Sequence, residues 1–423
     1  MKVWLGCLVI VVAVCLAVSP AWAKDDSEKL KERVAQLEEK IAVLEAKLQY
    51  LHVVEGVIND LVGPHMIIEG ANLHIQNGSG ISNSINGLGN LILGYNDCAG
   101  QNSPSPSGEC YPKNSDRGGS HNLIVGFHHE YPSFGGFVAG IRNVISGPSS
   151  TVSGGGYNTA SSPVASVSGG SHNTASEVYS SVSGGVSNEA SGTYASVSGG
   201  RKNEARGPEA SVSGGVNNMA KWPNSSVSGG EYNTASGTNA SVSGGYLNTA
   251  SGENSSVSGG RQNTASGHGA SVSGGEGSEA AGDFSSVSGG ADNEASGSHA
   301  SVSGGYENEA SGGTASVSGG RESEASGFAA SVSGGGQNTA NNHVSSVSGG
   351  WDNEANGLNA SISGGVENEA SGMNSSVSGG WDNEASGPSA SVSGGHENEA
   401  RGEASTVSGG SGVITYFLYD HLP

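Results

Sequence analysis

One short phrase, Ser-Val-Ser-Gly-Gly, recurs along this chain at a fixed interval of 15 residues. Its Val stands at position 152 and at every fifteenth position up to 407, with Ile362 as the one substitution, so 18 copies follow one another without an insertion or deletion. A disordered Gly/Ser linker keeps its composition but has no reason to keep its register. A constant period is the mark of a solenoid, in which each coil stacks on its neighbours.

The positions within each repeat differ in how much they vary. Both glycines are present in all 18 copies, which predicts tight turns or positive φ. Six residues after the Val, Asn occurs in 15 of 17 copies, with Ser278 and Ser323 as the exceptions, and an Ala follows two residues later in every copy. The pattern predicts two very short strands per coil, with Val and Ala inside, Ser and Glu outside, and the Asn side chains stacked in a ladder.

Composition excludes several classes of function. Of 423 residues 73 are Gly, 5% are aromatic and 13% are charged, which leaves too few bulky side chains for a large core of the usual enzyme type. The net charge of −22 disfavours nucleic acid and anionic lipid as partners. No Ser, His and Asp recur at a spacing that suggests catalysis. The His128-His129-Glu130 cluster fits no zinc pattern and is interpreted as a loop, so neither an enzyme nor a cofactor is expected.

The first 23 residues are interpreted as a cleaved signal peptide. Lys2 precedes an apolar stretch from Val3 to Val18, and Ala21-Trp22-Ala23 has the form of a cleavage site. We therefore expect a secreted or cell-surface protein. The mature chain keeps Cys98 and Cys110, for which a disulfide is the natural interpretation in an exported protein and a metal pair the weaker alternative.

Residues 24–54 are predicted to form a coiled coil. Apolar residues alternate at spacings of four and three between Leu30 and Leu51, and the flanking g and e positions carry opposite charges. The alternative is one amphipathic helix packed on its own domain. The stretch Arg33 to Glu38 resembles the R-h-x-x-h-E motif of short parallel trimeric coiled coils, where h is apolar. The predicted trimerisation residues are Arg33, Val34, Leu37, Glu38, Ile41 and Leu44.

Less regular coils are expected upstream of the repeats. Ile124 and Val138 precede Val152 at intervals of 14, and the stretch around Leu91 resembles the one around Leu123, 32 residues later. We therefore divide the mature chain into the coiled coil, a transition region over 55–150 with degenerate coils and the cysteine loop, the regular repeats over 151–410, and a C-terminal tail over 411–423. The fold class is an all-β parallel β-roll, or β-solenoid, preceded by a short helical coiled coil.

With these motifs in place, residues 90–410 resemble the head repeats of YadA-type trimeric autotransporter adhesins. The resemblance implies a homotrimer of left-handed parallel β-rolls that binds an extracellular protein or glycan surface. A trimer also suits the energetics, because fixing fifteen residues per coil costs more backbone entropy than burying one Val and one Ala offsets. Two features depart from that family: here the coiled coil comes first, and the tail is too short for a membrane anchor.

Aromatic residues in variable positions are the candidate ligand contacts. Trp351 and Trp381 share one position two coils apart, and Tyr246 and Tyr306 occupy the same position. The alternative is that these aromatic side chains only cover neighbouring loops. Stacked acidic pairs, such as Asp352 with Glu354, raise calcium as a further ligand, although solvated carboxylates are the commoner outcome. Adhesion is the predicted function; a structural envelope or fibre component is the alternative, and ice binding is a third.

Overall fold

The computed structural model describes residues 3–94, 96 and 116–423, with side chains from Asp25 onward. The chain divides into two units, Met1–Ile75 and Gln76–Pro423. The predicted Cys98–Cys110 disulfide lies outside the described residues, as do the side chains of the predicted signal peptide.

The first unit begins with a helix, α1, over Val3–Leu48. The apolar heptad residues from Leu30 to Leu48 are between 44% and 64% exposed, so no described residue of the first unit covers them. Within the first unit, the helix is therefore not packed against a domain of its own. Among the described residues, no helix combines the length and the apolar character that crossing a membrane requires.

A β-hairpin follows α1 directly. Strand β1 (Leu51–Ile58) pairs antiparallel with β2 (Leu61–Ile68) through a two-residue loop. The loop residues Asn59 and Asp60 have φ of 49° and 64°, the type I′ geometry that such residues favour. The helix therefore ends at Leu48, whereas the heptad count continued to Leu51, because the β-branched residues of β1 pair with β2 instead of extending the helix.

The second unit is a parallel β-solenoid of about 20 coils. We number the coil positions 1 to 15 from the Ser of Ser-Val-Ser-Gly-Gly, so Ser181 is position 1 and Ala195 is position 15 of one coil. Each regular coil has one strand at positions 1–2 and another at positions 9–10.

The strands at positions 1–2, with the last strand of the chain, are Thr151–Val152, Ser166–Val167, Ser181–Val182, Ser196–Val197, Ser211–Val212, Ser226–Val227, Ser241–Val242, Ser256–Val257, Ser271–Val272, Ser286–Val287, Ser301–Val302, Ser316–Val317, Ser331–Val332, Ser346–Val347, Ser361–Ile362, Ser376–Val377, Ser391–Val392, Thr406–Val407 and His421–Leu422. The strands at positions 9–10 are Val144–Ile145, Thr159–Ala160, Thr174–Ala175, Glu189–Ala190, Glu204–Ala205, Met219–Ala220, Thr234–Ala235, Thr249–Ala250, Thr264–Ala265, Glu279–Ala280, Glu294–Ala295, Glu309–Ala310, Glu324–Ala325, Thr339–Ala340, Glu354–Ala355, Glu369–Ala370, Glu384–Ala385, Glu399–Ala400 and Ile414–Thr415.

Strands of successive coils pair in parallel with a register of 15, so like residues stand above like residues, as Val182 does on Val197. Three longer strands begin the stack: β3 (Leu91–Leu93), β4 (Leu123–Phe127) and β5 (Phe137–Ile141). Their pairing aligns Ile92 with Ile124 and Ile124 with Val138. The predicted degenerate coils and their register are therefore confirmed.

The core of the roll is thin and uniform. The Val at position 2 and the Ala at position 10 are at most 1% exposed in the regular coils, which confirms the predicted inner faces. The Asn at position 8 and the Ala or Ser at position 15 are equally buried. Each coil therefore buries more side chains than the Val and Ala expected from the repeat.

The buried Asn residues form the predicted ladder, as Asn233 shows. Its Nδ2 donates to the carbonyl oxygens of Gly229 and Gly245, each at 2.9 Å, and its Oδ1 accepts from the N–H of Asn248 at 3.0 Å. The side chain thus closes the glycine turn of its own coil and ties it to the following coil, while the Asn233 N–H donates to Asn218 Oδ1 of the preceding coil at 2.9 Å. The ladder satisfies backbone groups that would otherwise be buried without partners.

The two glycines of the phrase have different roles. At position 5, Gly230 has a φ of 83°, and a Cβ there would overlap the Gly245 carbonyl oxygen and the Asn233 amide. At position 4, Gly229 has no atom within 4 Å of where its Cβ would lie. The expectation that both glycines serve the turn therefore holds only for the second, and packing within one chain does not explain the first.

Candidate functional site

The four candidate aromatic residues all lie at position 6, on the outside of the roll. Position 6 forms its own ladder of parallel backbone bridges, which runs from Trp351 through Val366 and Trp381 to His396. These bridges hold the side chains of successive coils in line along one edge. The structure therefore places each candidate at the same position of its coil, as the repeat predicted.

Trp351 and Trp381 are two coils apart, about 10 Å at the spacing of β-strands. Their side chains are 44% and 51% exposed, and the Val366 between them is 39% exposed. The Trp381 Nε1–H donates to Glu367 Oε2 at 3.0 Å, and its ring packs on His396 with centroids 4.4 Å apart. The three residues are consecutive along position 6, with the Trp351 ring over Gly336 of the preceding coil and the Trp381 ring on His396 of the following one. We call them the tryptophan strip (Trp351, Val366 and Trp381).

Tyr246 and Tyr306 do not join this strip. Tyr306 is three coils before Trp351, and Tyr246 is four coils before Tyr306. The Tyr306 hydroxyl is hydrogen-bonded to Glu307. This hydrogen bond and the negative charge of Glu307 raise the pKa of Tyr306. Tyr246 packs edge-on against Tyr232, with ring centroids 6.0 Å apart. Neither tyrosine is adjacent to another candidate residue at position 6, so the two do not extend the tryptophan strip.

Carboxylates flank the tryptophan strip at positions 7 and 9. Glu354, Glu369, Glu384 and Glu399 are aligned by parallel strand pairs, so their side chains stack at the strand spacing. Arg401 forms an ion pair with Glu399, and His396 lies 3.3 Å from Glu397. Within the part of the chain that the structure describes, no three His, Cys, Asp or Glu side chains are grouped so as to hold a metal ion. The geometry gives no support to the calcium alternative.

Stacked aromatic and histidine pairs are a feature that the sequence interpretation missed. Tyr157 stacks on His172 with centroids 4.8 Å apart and an interplanar angle of 5°, and Tyr179 stacks on Tyr194 at 4.9 Å and 4°. The members of each pair are 15 residues apart, as are Trp381 and His396. The signal was therefore present in the repeat, because residues one period apart must lie side by side in a solenoid.

His129 is buried and replaces an Asn in the ladder. Its Nδ1 accepts from the N–H of Asn143 at 3.3 Å, and its Nε2 lies 3.1 Å from the carbonyl oxygen of Val125. Because a carbonyl can only accept, Nε2 carries the proton of the neutral ring. Burial lowers the pKa of His129, which suits this neutral form. The cluster begins directly after the strand Leu123–Phe127, in keeping with the loop interpretation, but His129 is buried there because it occupies the Asn position one coil before Asn143.

A comparison with protein-family models and with curated proteins finds no match to this chain.

Proposed function

We propose that this chain is an exported, non-enzymatic homotrimer that binds an extracellular protein or glycan surface through the outer positions of its β-roll. The observation that carries the proposal is the tryptophan strip, in which two half-exposed indoles and a valine lie in line on a rigid scaffold. Exposed aromatic residues supply large contact area at a low cost in side-chain entropy, and they are common anchors of binding surfaces.

Two features support self-association. The heptad residues of α1 are exposed in the single chain, and heptads with complementary g and e charges are typical of helices that pair with copies of themselves. The face of the roll around positions 3 and 4 is uncharged in all 18 copies, with an exposed Ser beside a Gly that packing in one chain does not require. Both features suit packing of identical chains along their length.

The function test is a binding screen with matched tryptophan variants. We expect the mature protein to bind a member of a panel of glycans and extracellular-matrix proteins. The double variant Trp351→Ala/Trp381→Ala should weaken that binding at least tenfold, because truncating two aromatic anchors costs about 2 kcal/mol or more. Trp222→Ala is the control, since Trp222 is 57% exposed but lies at position 12. Equal losses in both variants, or no ligand in the panel, would count against the proposal.

A structural role in an envelope or fibre is the second candidate. The unbroken ladder of coils favours it, because a uniform parallel stack is a rigid rod whether or not it binds a ligand. Ice binding is less well supported, because the residues at positions 1 and 3 are mainly Ser, without the methyl group of Thr.

A further inference from the structure

The hairpin β1–β2 has one strongly apolar face that no described residue of the first unit covers. Alternate residues of a strand share a face, and the pairing of Leu51 with Ile68 and of Val57 with Val62 fixes which ones do. This surface, the hairpin face, consists of Leu51, Val53, Glu55, Val57, Val62, Pro64, Met66 and Ile68. Val53, Val57, Val62 and Met66 are between 63% and 86% exposed.

A two-stranded hairpin in this state is marginal in water, because it needs a third strand or a packed partner for stability. The preceding helix is not that partner, since the described side chains of α1 are themselves exposed. An exposed apolar surface of this kind marks an interaction site. Glu55 is the one ionisable side chain among the eight residues of the face, so a highly charged partner would be a poor match.

The hairpin face continues the apolar seam of α1. The heptad count runs through Leu44 and Leu48 to Leu51, and Leu51 is also the first residue of the hairpin face. Only two residues separate the end of α1 from the start of β1. Chains that meet along the heptads of α1 must therefore bring their hairpins close together at this point.

The edge of β2 disfavours partners that would extend the sheet. Glu69 N–H donates to the Tyr50 carbonyl at 3.0 Å, which makes this a hydrogen-bonded pair and makes Glu55–Pro64, five steps away, a non-hydrogen-bonded one. The backbone groups of Pro64 therefore point outward, where proline has no N–H to offer a neighbouring strand. Association is thereby directed to the face of the hairpin rather than to this edge.

We propose that the hairpin face packs against the same face in other copies of this chain and extends the helical interface beyond Leu48. The proposal rests on the self-association in the proposed function, but it assigns a further segment to the interface. The hairpin is then the junction at which a helical interface passes into an interface between β-strands.

Cysteine cross-linking of the full mature chain tests this directly. Val62 and Leu61 are adjacent, are 86% and 66% exposed, and lie on opposite faces of the hairpin. Under mild oxidation we expect Val62→Cys to form a covalent dimer as the main band on a non-reducing gel, whereas Leu61→Cys and the unmodified protein remain single chains. Leu44→Cys, in the seam of α1, reports on the helical interface in the same assay.

The outcomes separate the two proposals. Cross-linking of Leu44→Cys without Val62→Cys would overturn the hairpin interface and leave self-association through α1 in place. Equal cross-linking of Val62→Cys and Leu61→Cys would also overturn the hairpin proposal, because the contact would then not be specific to one face. Failure of all three variants to cross-link would overturn both. Circular dichroism of each variant checks that its β signal is unchanged.

Discussion

Gly230→Ala is expected to open the roll at coils 226–255. The residue has a φ of 83°, and a methyl group there would overlap the Gly245 carbonyl oxygen and the amide of Asn233. We expect a loss of about 2 to 5 kcal/mol, since a left-handed conformation costs about 1–2 kcal/mol and overpacking about 1–3 kcal/mol more. Hydrogen exchange of the amides in these coils measures the loss as faster exchange than in distant coils.

Gly229→Ala is the matched control for this prediction. It adds the same methyl group one residue earlier, where no atom lies within 4 Å of the new Cβ. The backbone ladder inside the chain is untouched, so we expect far less acceleration of exchange in these coils than in Gly230→Ala. Any remaining effect would come from the face that the proposed function assigns to packing of identical chains. Equal acceleration in both variants would show that the two glycines have the same role, which would contradict the geometry of the turn.

The second large effect is expected for Asn233→Ala. The substitution removes two donated hydrogen bonds and one accepted bond. It leaves the part-buried Gly229 carbonyl and the buried Asn248 N–H without these partners, whereas the Gly245 carbonyl keeps the Glu231 N–H. Each unsatisfied buried group costs about 1–3 kcal/mol, so for these two groups we expect a loss of about 2 to 6 kcal/mol in the free energy of unfolding. Denaturant unfolding followed by circular dichroism gives the value.

Ser278→Asn is the matched control, because it is expected to raise the free energy of unfolding where Asn233→Ala lowers it. Ser278 occupies the Asn position, but its hydroxyl makes only two long hydrogen bonds. It accepts from the Asn293 N–H at 3.4 Å and donates to the Glu276 carbonyl oxygen at 3.4 Å. We expect Ser278→Asn to restore the ladder and to raise the free energy of unfolding by about 1 kcal/mol. A destabilised Ser278→Asn, or a neutral Asn233→Ala, would mean that the ladder contributes little.

The repeat predicted the fold of the roll because its information is redundant. Eighteen copies of one phrase place Val, Asn and Ala at fixed positions, and a solenoid with a constant period can stack them only in register. Even the irregular register of Ile124 and Val138 followed from counting residues. The aromatic pairs could have been found in the same way, since Tyr157 and His172 are one period apart.

The hairpin was missed because two patterns overlap there. The apolar spacing that marks the heptads continues to Leu51, although the β-branched residues that follow and the Asn59–Asp60 turn favour strands. The different roles of Gly229 and Gly230 could not be predicted either, because both are invariant and only backbone geometry separates them. Of what the resemblance to an adhesin head implied, the structure shows the parallel solenoid with 15-residue coils, while trimerisation and adhesion stay predictions.

The solution mass of the mature chain, measured by light scattering together with circular dichroism, tests the account most directly. We predict a mass of three chains and a strong β signal, because the heptad face of α1 is left exposed in the single chain. A folded β monomer would contradict the trimer while leaving the solenoid in place. A monomer with a disordered spectrum would contradict the β-roll itself.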